Sequence, residues 1–268
     1  MKIIYIANNR FPTEKAYGLH VVKMCEALAQ NGAEVTLVVP KRKNQILSDV
    51  FDYYGVERNF NVEYLPVIDC VDSGFFGYCV AQVSFTFSLL RRKYDKSENT
   101  ILTRDEWSGW ALATAGYKVF YDMHGFPIKW MAIWKMSMRK MSGVICTNKW
   151  KIEQCHKIFG IDTNKMALAR NGFDPKLFLM NIDKAEARKK TNLPQDKKIA
   201  IYSGHLYDWK GVDTMAKTAI VMPDILFVFV GGSDQEREGF AKRVKLCDNI
   251  LIIGQRPHNE IPLYLKAA

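Results

Sequence analysis

Ile199-Ala200-Ile201-Tyr202-Ser203-Gly204-His205-Leu206-Tyr207-Asp208-Trp209-Lys210-Gly211 is the stretch from which the fold can be read. Ile199 to Tyr202 is a short apolar strand pattern. Beyond Gly211, Val212, Met215, Ala216 and Ala219 recur at the spacing of one helix face. A glycine leaving a strand, then a lysine and a second glycine at the mouth of a helix, suits anionic oxygens. Glycine lets the backbone approach a ligand, the helix start offers unpaired N–H groups, and Lys210 adds a full positive charge. The pull is toward a phosphate or diphosphate. An ordinary βα loop with a solvated lysine has the same composition, and the loop alone leaves both readings open.

Upstream, short β-branched runs alternate with amphipathic stretches. Strands are expected at Lys2–Ala7, Glu34–Pro40, Val62–Val67, Thr100–Arg104, Lys118–Met123, Gly143–Thr147 and Met166–Arg170. Helices are expected near Gly18–Gln30, Phe76–Lys93, Glu106–Ala115, Pro127–Met141 and Lys149–Phe159. This alternation predicts an α/β fold with a doubly wound parallel sheet, whose ligands sit at the carboxyl ends of the strands. Residues 181–198 turn polar and read as a partly helical connector between a domain over 1–180 and a second over 199–268. The second series has strands Ile199–Tyr202, Ile225–Val230 and Ile250–Gly254, with helices near Val212–Val221 and Gln235–Cys247. It is shorter than a usual domain of roughly 100–150 residues, so an incomplete second domain is expected.

The chain has 268 residues, 48% of them hydrophobic, enough for a sizeable core. No apolar run approaches the roughly 18 residues of a membrane span, and the first residues read as a strand, so a cytoplasmic protein is expected. Six scattered cysteines show no zinc spacing, and no metal is expected. A net charge of +10 fits phosphorylated small molecules or an anionic membrane surface. Nucleic acid is not expected, since no zinc finger, RNP-type motif or Arg-rich tract is present.

Two helices carry aromatic or methionine stripes beside basic residues. Phe76, Val80, Val83, Phe87 and Leu90 form one, ending in Arg91-Arg92-Lys93. Ile128, Met131, Trp134, Met138 and Met141 form the other, beside Lys135, Arg139 and Lys140. Packing on the sheet is one reading; an amphipathic face on the anionic inner face of a membrane is the other.

Candidate ligand contacts lie where strands end. Gly18 opens the first helix and either admits a phosphate or is a helix-start glycine. His124 ends a strand and faces the ligand crevice, placed to hydrogen-bond a substrate or stabilise developing charge. Arg104 is a candidate acceptor contact beside Asp105, a helix cap. Asn171, in Asn171-Gly172-Phe173-Asp174, is a turn signal just before the connector. Gly231-Gly232 and Gln255-Arg256-Pro257 follow the last two strands. The G-x-G-x-x-G fingerprint, a P-loop and a Ser/His/Asp order are all missing.

These pieces together resemble the retaining glycosyltransferases of family 4, the "group 1" family, which have the two-domain GT-B fold. The carriers are Lys2–Ala7 with Gly18, His124, Arg170-Asn171-Gly172-Phe173-Asp174 with Phe178, Tyr202–Gly211, Val230-Gly231-Gly232, and Ile253-Gly254-Gln255 with Ile261–Leu265. The resemblance implies two Rossmann-like domains facing a cleft. It implies transfer of a sugar from a nucleotide-diphosphate donor to an acceptor hydroxyl, with retention and without a metal or cofactor. A lipid-linked or saccharide acceptor would sit on the N-terminal domain, near Arg104 and Asn171, in synthesis of a cell-surface polysaccharide or glycolipid. Lys210 matches the lysine that binds the donor diphosphate, His124 the histidine on the donor sugar, and Gly18 the glycine near the phosphates. Gly204, His205, Gly232 and Arg256 complete the expected donor side. His205 stands where many members carry arginine, and Tyr17 where many have a first glycine. The family's glutamate pair would lie beyond Ala268, so a C-terminally truncated member is expected. The alternatives are a non-catalytic binding protein or inactive fragment of this ancestry, and a GT-B nucleotide-sugar epimerase.

Overall fold

A computed structural model describes residues 1–244 and 247–268. The chain forms two compact units, Met1–Asn171 and Gly172–Ala268. The first contains β1 (Lys2–Ile6), α1 (Ala16–Gln30), β2 (Glu34–Lys41), α2 (Val50–Tyr54), β3 (Asn61–Pro66), α3 (Gly74–Arg92) and β4 (Asn99–Thr103). It continues with α4 (Glu106–Thr114), β5 (Lys118–Met123), α5 (Met131–Lys140), β6 (Gly143–Cys146), α6 (Lys149–Gln154) and β7 (Met166–Leu168). These strands form one parallel sheet in the order β3-β2-β1-β4-β5-β6-β7.

Both faces of this sheet are covered, which is why its strands read as continuous apolar runs. In β1, Ile4 and Ile6 join a core with Phe85, Leu89, Leu112 and Met138, so α3, α4 and α5 cover that face. Ile3 and Tyr5 point the other way, into a core with Val21, Val22 and Cys25 of α1. The chain reverses its direction of travel across the sheet between β1 and β4. The crevice at their carboxyl ends is therefore the topological switch point, where open α/β sheets bind ligands.

The expected strands and helices are present, with shifted ends. The helix expected over Pro127–Met141 starts only at Met131, after Trp130 in the left-handed region (φ 59°), which leaves Ile128 outside it and exposed. Past Gln154, α6 widens into a π-helical turn, Cys155–Phe159, and α2 had no periodic signal at all.

The larger difference is in α3. Its sheet-facing residues are Gly77, Ala81, Gln82, Phe85 and Leu89, whereas Phe76, Val83, Phe87 and Leu90 of the expected core stripe face solvent. The helix is apolar on nearly every side, so hydrophobicity does not choose its inner face. Two other features do. Gly77 comes so close to the preceding loop that a Cβ there would lie 2.1 Å from the Cys70 carbonyl oxygen. Gln82 is polar and buried, and reaches Asn8 and Asp105 at 2.6 and 2.7 Å.

The second unit contains α7 (Pro175–Phe178), α8 (Lys184–Lys190), β8 (Lys198–Ser203), α9 (Val212–Val221), β9 (Ile225–Val230), α10 (Asp234–Arg243), β10 (Ile250–Gly254) and α11 (Ile261–Ala267). Its parallel sheet has the order β10-β9-β8. Phe227 and Phe229 of β9 pack with Val212, Ala216 and Ala219 of α9 and Phe240 of α10. Leu226, Val228 and Val230 pack on the opposite face with Ala187, Leu193, Tyr264 and Ala267.

That second layer corrects the expected domain boundaries. The division falls at Asn171/Gly172 rather than at 180, and residues 181–198, helical in part as expected, belong to the second unit rather than linking two units. They hold α8, which with α11 covers one face of the sheet. Its polar composition hides a single inward strip. Ala187 is fully buried, and the buried Arg188 donates to the carbonyls of Ala267 and Gln195, both at 2.8 Å. The helix expected over Gln235–Cys247 ends at Arg243, and the part of that expectation on residues 245–246 lies outside the described residues. No helix among the described residues is long and apolar enough to cross a membrane.

Candidate functional site

In the first unit the switch-point crevice gathers Tyr17 and His20 from the start of α1, Arg104 after β4, and Asp122 and His124 at the end of β5. Arg104 Nε donates to Asp122 Oδ2 at 2.8 Å, with 7% and 8% of the two side chains exposed. Arg104 Nη2 donates to a ring nitrogen of His20 and also lies against His124 Nε2. His124 Nε2 also lies 3.1 Å from Asp122 Oδ1, and the two imidazoles meet edge to face at 4.5 Å. The guanidinium stacks 5.4 Å from the Tyr17 ring centre. Burial lowers His20 to about 4, aided by the neighbouring Arg104 charge, while a side-chain hydrogen bond with Asn171 works the other way. His20 is therefore neutral at pH 7.

Three of the residues singled out from sequence, Arg104, His124 and Asn171, thus meet in one cluster. Arg104 is held within it by Asp122 and the imidazoles rather than standing free. Asp105 caps α4 as expected, accepting from the Ser108 amide at 3.1 Å. His20 and Asp122 were missed, because one sits inside an amphipathic helix and the other inside an apolar strand. The spacing Asp122-Met123-His124 was the available signal: alternate strand residues share a face.

Gly18 is buried in the first turn of α1. A Cβ there would lie 2.0 Å from the Tyr54 hydroxyl and 2.6 Å from Thr13 Cγ2. That hydroxyl accepts from the Thr13 amide and donates to the Thr13 carbonyl, both at 2.8 Å, clamping the loop after β1. Gly18 thereby has a packing reason of its own.

In the second unit the loops after β8, β9 and β10 converge. Gly204 (φ 147°) leaves β8 and Gly231 (φ 127°) leaves β9, and a Cβ on Gly231 would lie 2.2 Å from the Gly204 carbonyl oxygen. Gly231 donates its amide to Gly254 at the end of β10. Gly232 (φ 79°) leads through the cap Ser233 directly into α10, so the pair Gly231-Gly232 does open a helix. Leu206 is buried beneath Gly232, where a Cβ would come 2.9 Å from its side chain.

Glu236 of α10 ties the loop down. Its carboxylate accepts from the Leu206 amide at 3.0 Å and lies 3.0 Å from His205 Nδ1. From further along α10, Arg243 donates to the Leu206 carbonyl and to Asp213. His205 is therefore a paired group, and sequence reasoning missed its partner. His205, Tyr207 and Trp209 stack in turn, with Lys210 Nζ 4.4 Å from the Trp209 ring centre. Lys210 is exposed, and the N-terminus of α9 follows immediately, beyond Gly211. A concavity of about 400 Å³ at the N-terminus of α10 is lined by Gly232, Ser233, Gly254 and Arg256, with Asp234 paired to Arg237 at its edge. Two helix N-termini, a lysine and an arginine thus belong to these glycine loops, a setting whose positive potential suits an anion.

Residues 183–268 match the family model described as Glycosyl transferases group 1. TuaC of Bacillus subtilis, named a putative teichuronic acid biosynthesis glycosyltransferase, is 28% identical over 136 residues. That match covers 50% of this chain and 33% of TuaC, so the chain spans about a third of the curated relative it matches. Among solved structures, sucrose-phosphate synthase of Thermosynechococcus elongatus superposes with a TM-score of 0.75 at 19% identity, over 100% of this chain and 73% of that one. Anabaena HepE in complex with UDP gives 0.70 at 14%, over 100% and 72%. UDP-GlcNAc 2-epimerase of Neisseria meningitidis, bound to UDP-GlcNAc, gives 0.63 at 12%, over 99% and 74%. At these identities the structures establish the fold. The chain has the α/β fold of the GT-B glycosyltransferases, and residues 183–268 of its second unit match the model of the group 1 family.

Proposed function

We propose that the chain acts as a nucleotide-sugar-dependent glycosyltransferase, taking the sugar from a nucleoside diphosphate and passing it, with retention, to an acceptor hydroxyl. The observation that carries this is the meeting of the loops at Gly204, Gly231 and Gly254, with Lys210 further along the first and Arg256 just past the last, within the segment that matches the group 1 family. HepE, of the same fold, binds UDP and UDP-glucose, which favours a uridine diphosphate donor.

Cleaving the sugar–phosphate bond leaves negative charge on the departing diphosphate. Lys210 and the N-termini of α9 and α10 supply preorganised positive potential for that charge, each such group being worth a few kcal/mol. No metal is required on this reading. In the first unit, the Arg104–Asp122–His124 cluster orients His124, the group assigned to the donor sugar. Arg104 and Asn171 stand on the acceptor side, where the acceptor is a saccharide or a lipid-linked glycan of a cell-surface polymer. The similarity to TuaC supports that class of product.

A panel of UDP- and GDP-sugars tests this by thermal shift and by release of nucleotide with and without oligosaccharide acceptors. Stabilisation by one donor and acceptor-dependent release of its nucleotide are expected; no response to any nucleotide sugar overturns the reading. The epimerase neighbours support a second reading, which the same assay separates. An epimerase converts its nucleotide sugar with no acceptor present. A binding protein of this fold keeps the thermal shift and turns nothing over.

A further inference from the structure

The outward face of α3 is the least expected surface of the chain. Phe76, Val83 and Phe87 are 79%, 68% and 62% exposed, and Leu90 continues their line. These positions fall within about 60° of one another around the helix and run for about 21 Å along it. Scattered exposed apolar residues are ordinary, but a continuous aromatic stripe on one helix marks a contact surface.

The charges on the helices of this face are mostly basic. Helices α3, α4 and α5 cover the same face of the sheet, with α4 between the other two. Across the three, Glu106 is the one carboxylate against five basic residues. Of these, Arg92 is paired with Glu63. Arg91, Lys135, Arg139 and Lys140 are exposed and have no ion-pair partner among the described residues. Beside α5, Ile128 and Trp130 are 87% and 75% exposed. Aromatic and aliphatic side chains standing proud of unpaired cations match a bilayer whose headgroups are anionic. The rings enter the interface, and the lysines and arginines meet the lipid phosphates.

We infer that the face built by α3 and α5 docks on an anionic lipid bilayer, with Phe76, Val83 and Phe87 inserted and Arg139 and Lys140 held at the headgroups. The inference stands on this exposed face and not on the sugar-transfer reading, so the two can fail separately. A monotopic contact of this kind places the first unit at the surface from which a lipid-linked acceptor would be presented.

Co-sedimentation of the full chain with phosphatidylcholine vesicles, with and without 30% phosphatidylglycerol, tests it at about 50 mM and about 500 mM salt. Binding to the anionic vesicles at low salt, weakened at high salt, is expected. Phe76→Ser with Phe87→Ser should abolish it. Arg139→Ser with Lys140→Ser should weaken it about 25-fold, about fivefold for each charge removed. All four side chains face solvent, so the variants should melt as the parent does, which separates lost docking from lost folding. No binding to anionic vesicles, equal binding to neutral ones, or variants that bind like the parent each overturn the inference. A dimer in solution that Phe87→Ser dissolves would do so as well, by showing that a second copy covers the stripe.

Discussion

Arg104 and Asp122 form a buried ion pair at 2.8 Å, and both histidines of the switch-point crevice are arranged around it. Removing one member leaves the other charged and out of water, so Asp122→Ala should cost about 3–5 kcal/mol in urea unfolding. Replacing both, Arg104→Met with Asp122→Leu, should cost less than the single change. Burial acts to raise the Asp122 carboxyl, but the hydrogen bond with His124 and the Arg104 charge outweigh it and hold it at about 2. An unfolded aspartate titrates near 3.9. The pair's contribution is therefore whole above about pH 4 and disappears as the pH falls through about 2. A stability curve flat across that window would remove the ion pair from the account.

His20 gives a second, higher window. Folded, it is neutral down to about pH 4, held there by burial and then by Arg104. An unfolded histidine takes its proton near 6.5. Between those values the unfolded chain binds more protons, so stability falls as the pH drops from about 6.5 to about 4. His20→Gln should flatten that segment of the stability–pH curve and leave the lower limb due to Asp122. An unaltered slope would assign the segment to some other group.

Gly18 and Tyr54 give a test by pairwise coupling. Gly18→Ala drives a methyl into the Tyr54 hydroxyl 2.0 Å away and should cost about 1–3 kcal/mol. Tyr54→Phe removes the obstructing oxygen along with its two hydrogen bonds to Thr13. In that background the added methyl should cost clearly less, giving a coupling of at least about 0.5 kcal/mol by chemical denaturation. Strict additivity would mean that the helix is not seated on that hydroxyl.

How far the sequence carries depends on whether a residue's role is set locally. β1 and β9 were legible because burial on both faces leaves an unbroken apolar run, and the loop Ser203–Gly211 because glycine and lysine punctuate a strand-to-helix change. The face of α3 was not, since Phe76 and Phe85 are equally apolar. What turns Phe85 inward is Gln82 reaching Asp105, 23 residues away. The inward role of α8 was hidden for a related reason. One alanine and one arginine satisfied by distant carbonyls do not stand out in a polar run. Of the candidate site, the strand-ending His124 and the glycines could be found, whereas His20, Asp122 and Glu236 become visible only when the fold brings them to their partners.

Glu236 is the clearest of these. It holds both the Leu206 amide and His205, so Glu236→Ala should free the loop after β8 without emptying the core. Hydrogen exchange at the Leu206 amide should speed up by at least about tenfold, and nucleotide affinity should fall with it because the loop is no longer preorganised. Glu236→Gln keeps an acceptor for Leu206 and should recover most of the protection. Exchange at Leu206 equal to that of the parent would show that the backbone alone holds the loop.

Lys210 should act differently, because it holds nothing in place. Its side chain is exposed, its ammonium lies over Trp209, and it has no ion pair among the described residues. Lys210→Ala should therefore leave the melting temperature without ligand unchanged. It should lower affinity for UDP or GDP by about tenfold or more, the loss expected for a charge-assisted contact to phosphate. The corresponding nucleoside, which has no phosphate, should bind parent and variant equally, so titrating both ligands by calorimetry isolates the diphosphate contact. His124→Ala should instead lower kcat more than it raises KM, since its assigned role is exercised on the sugar as the bond breaks. Equal losses for nucleoside and nucleoside diphosphate in the Lys210 variant would move that lysine from the phosphates to the base, and with it the register of the donor along the loop.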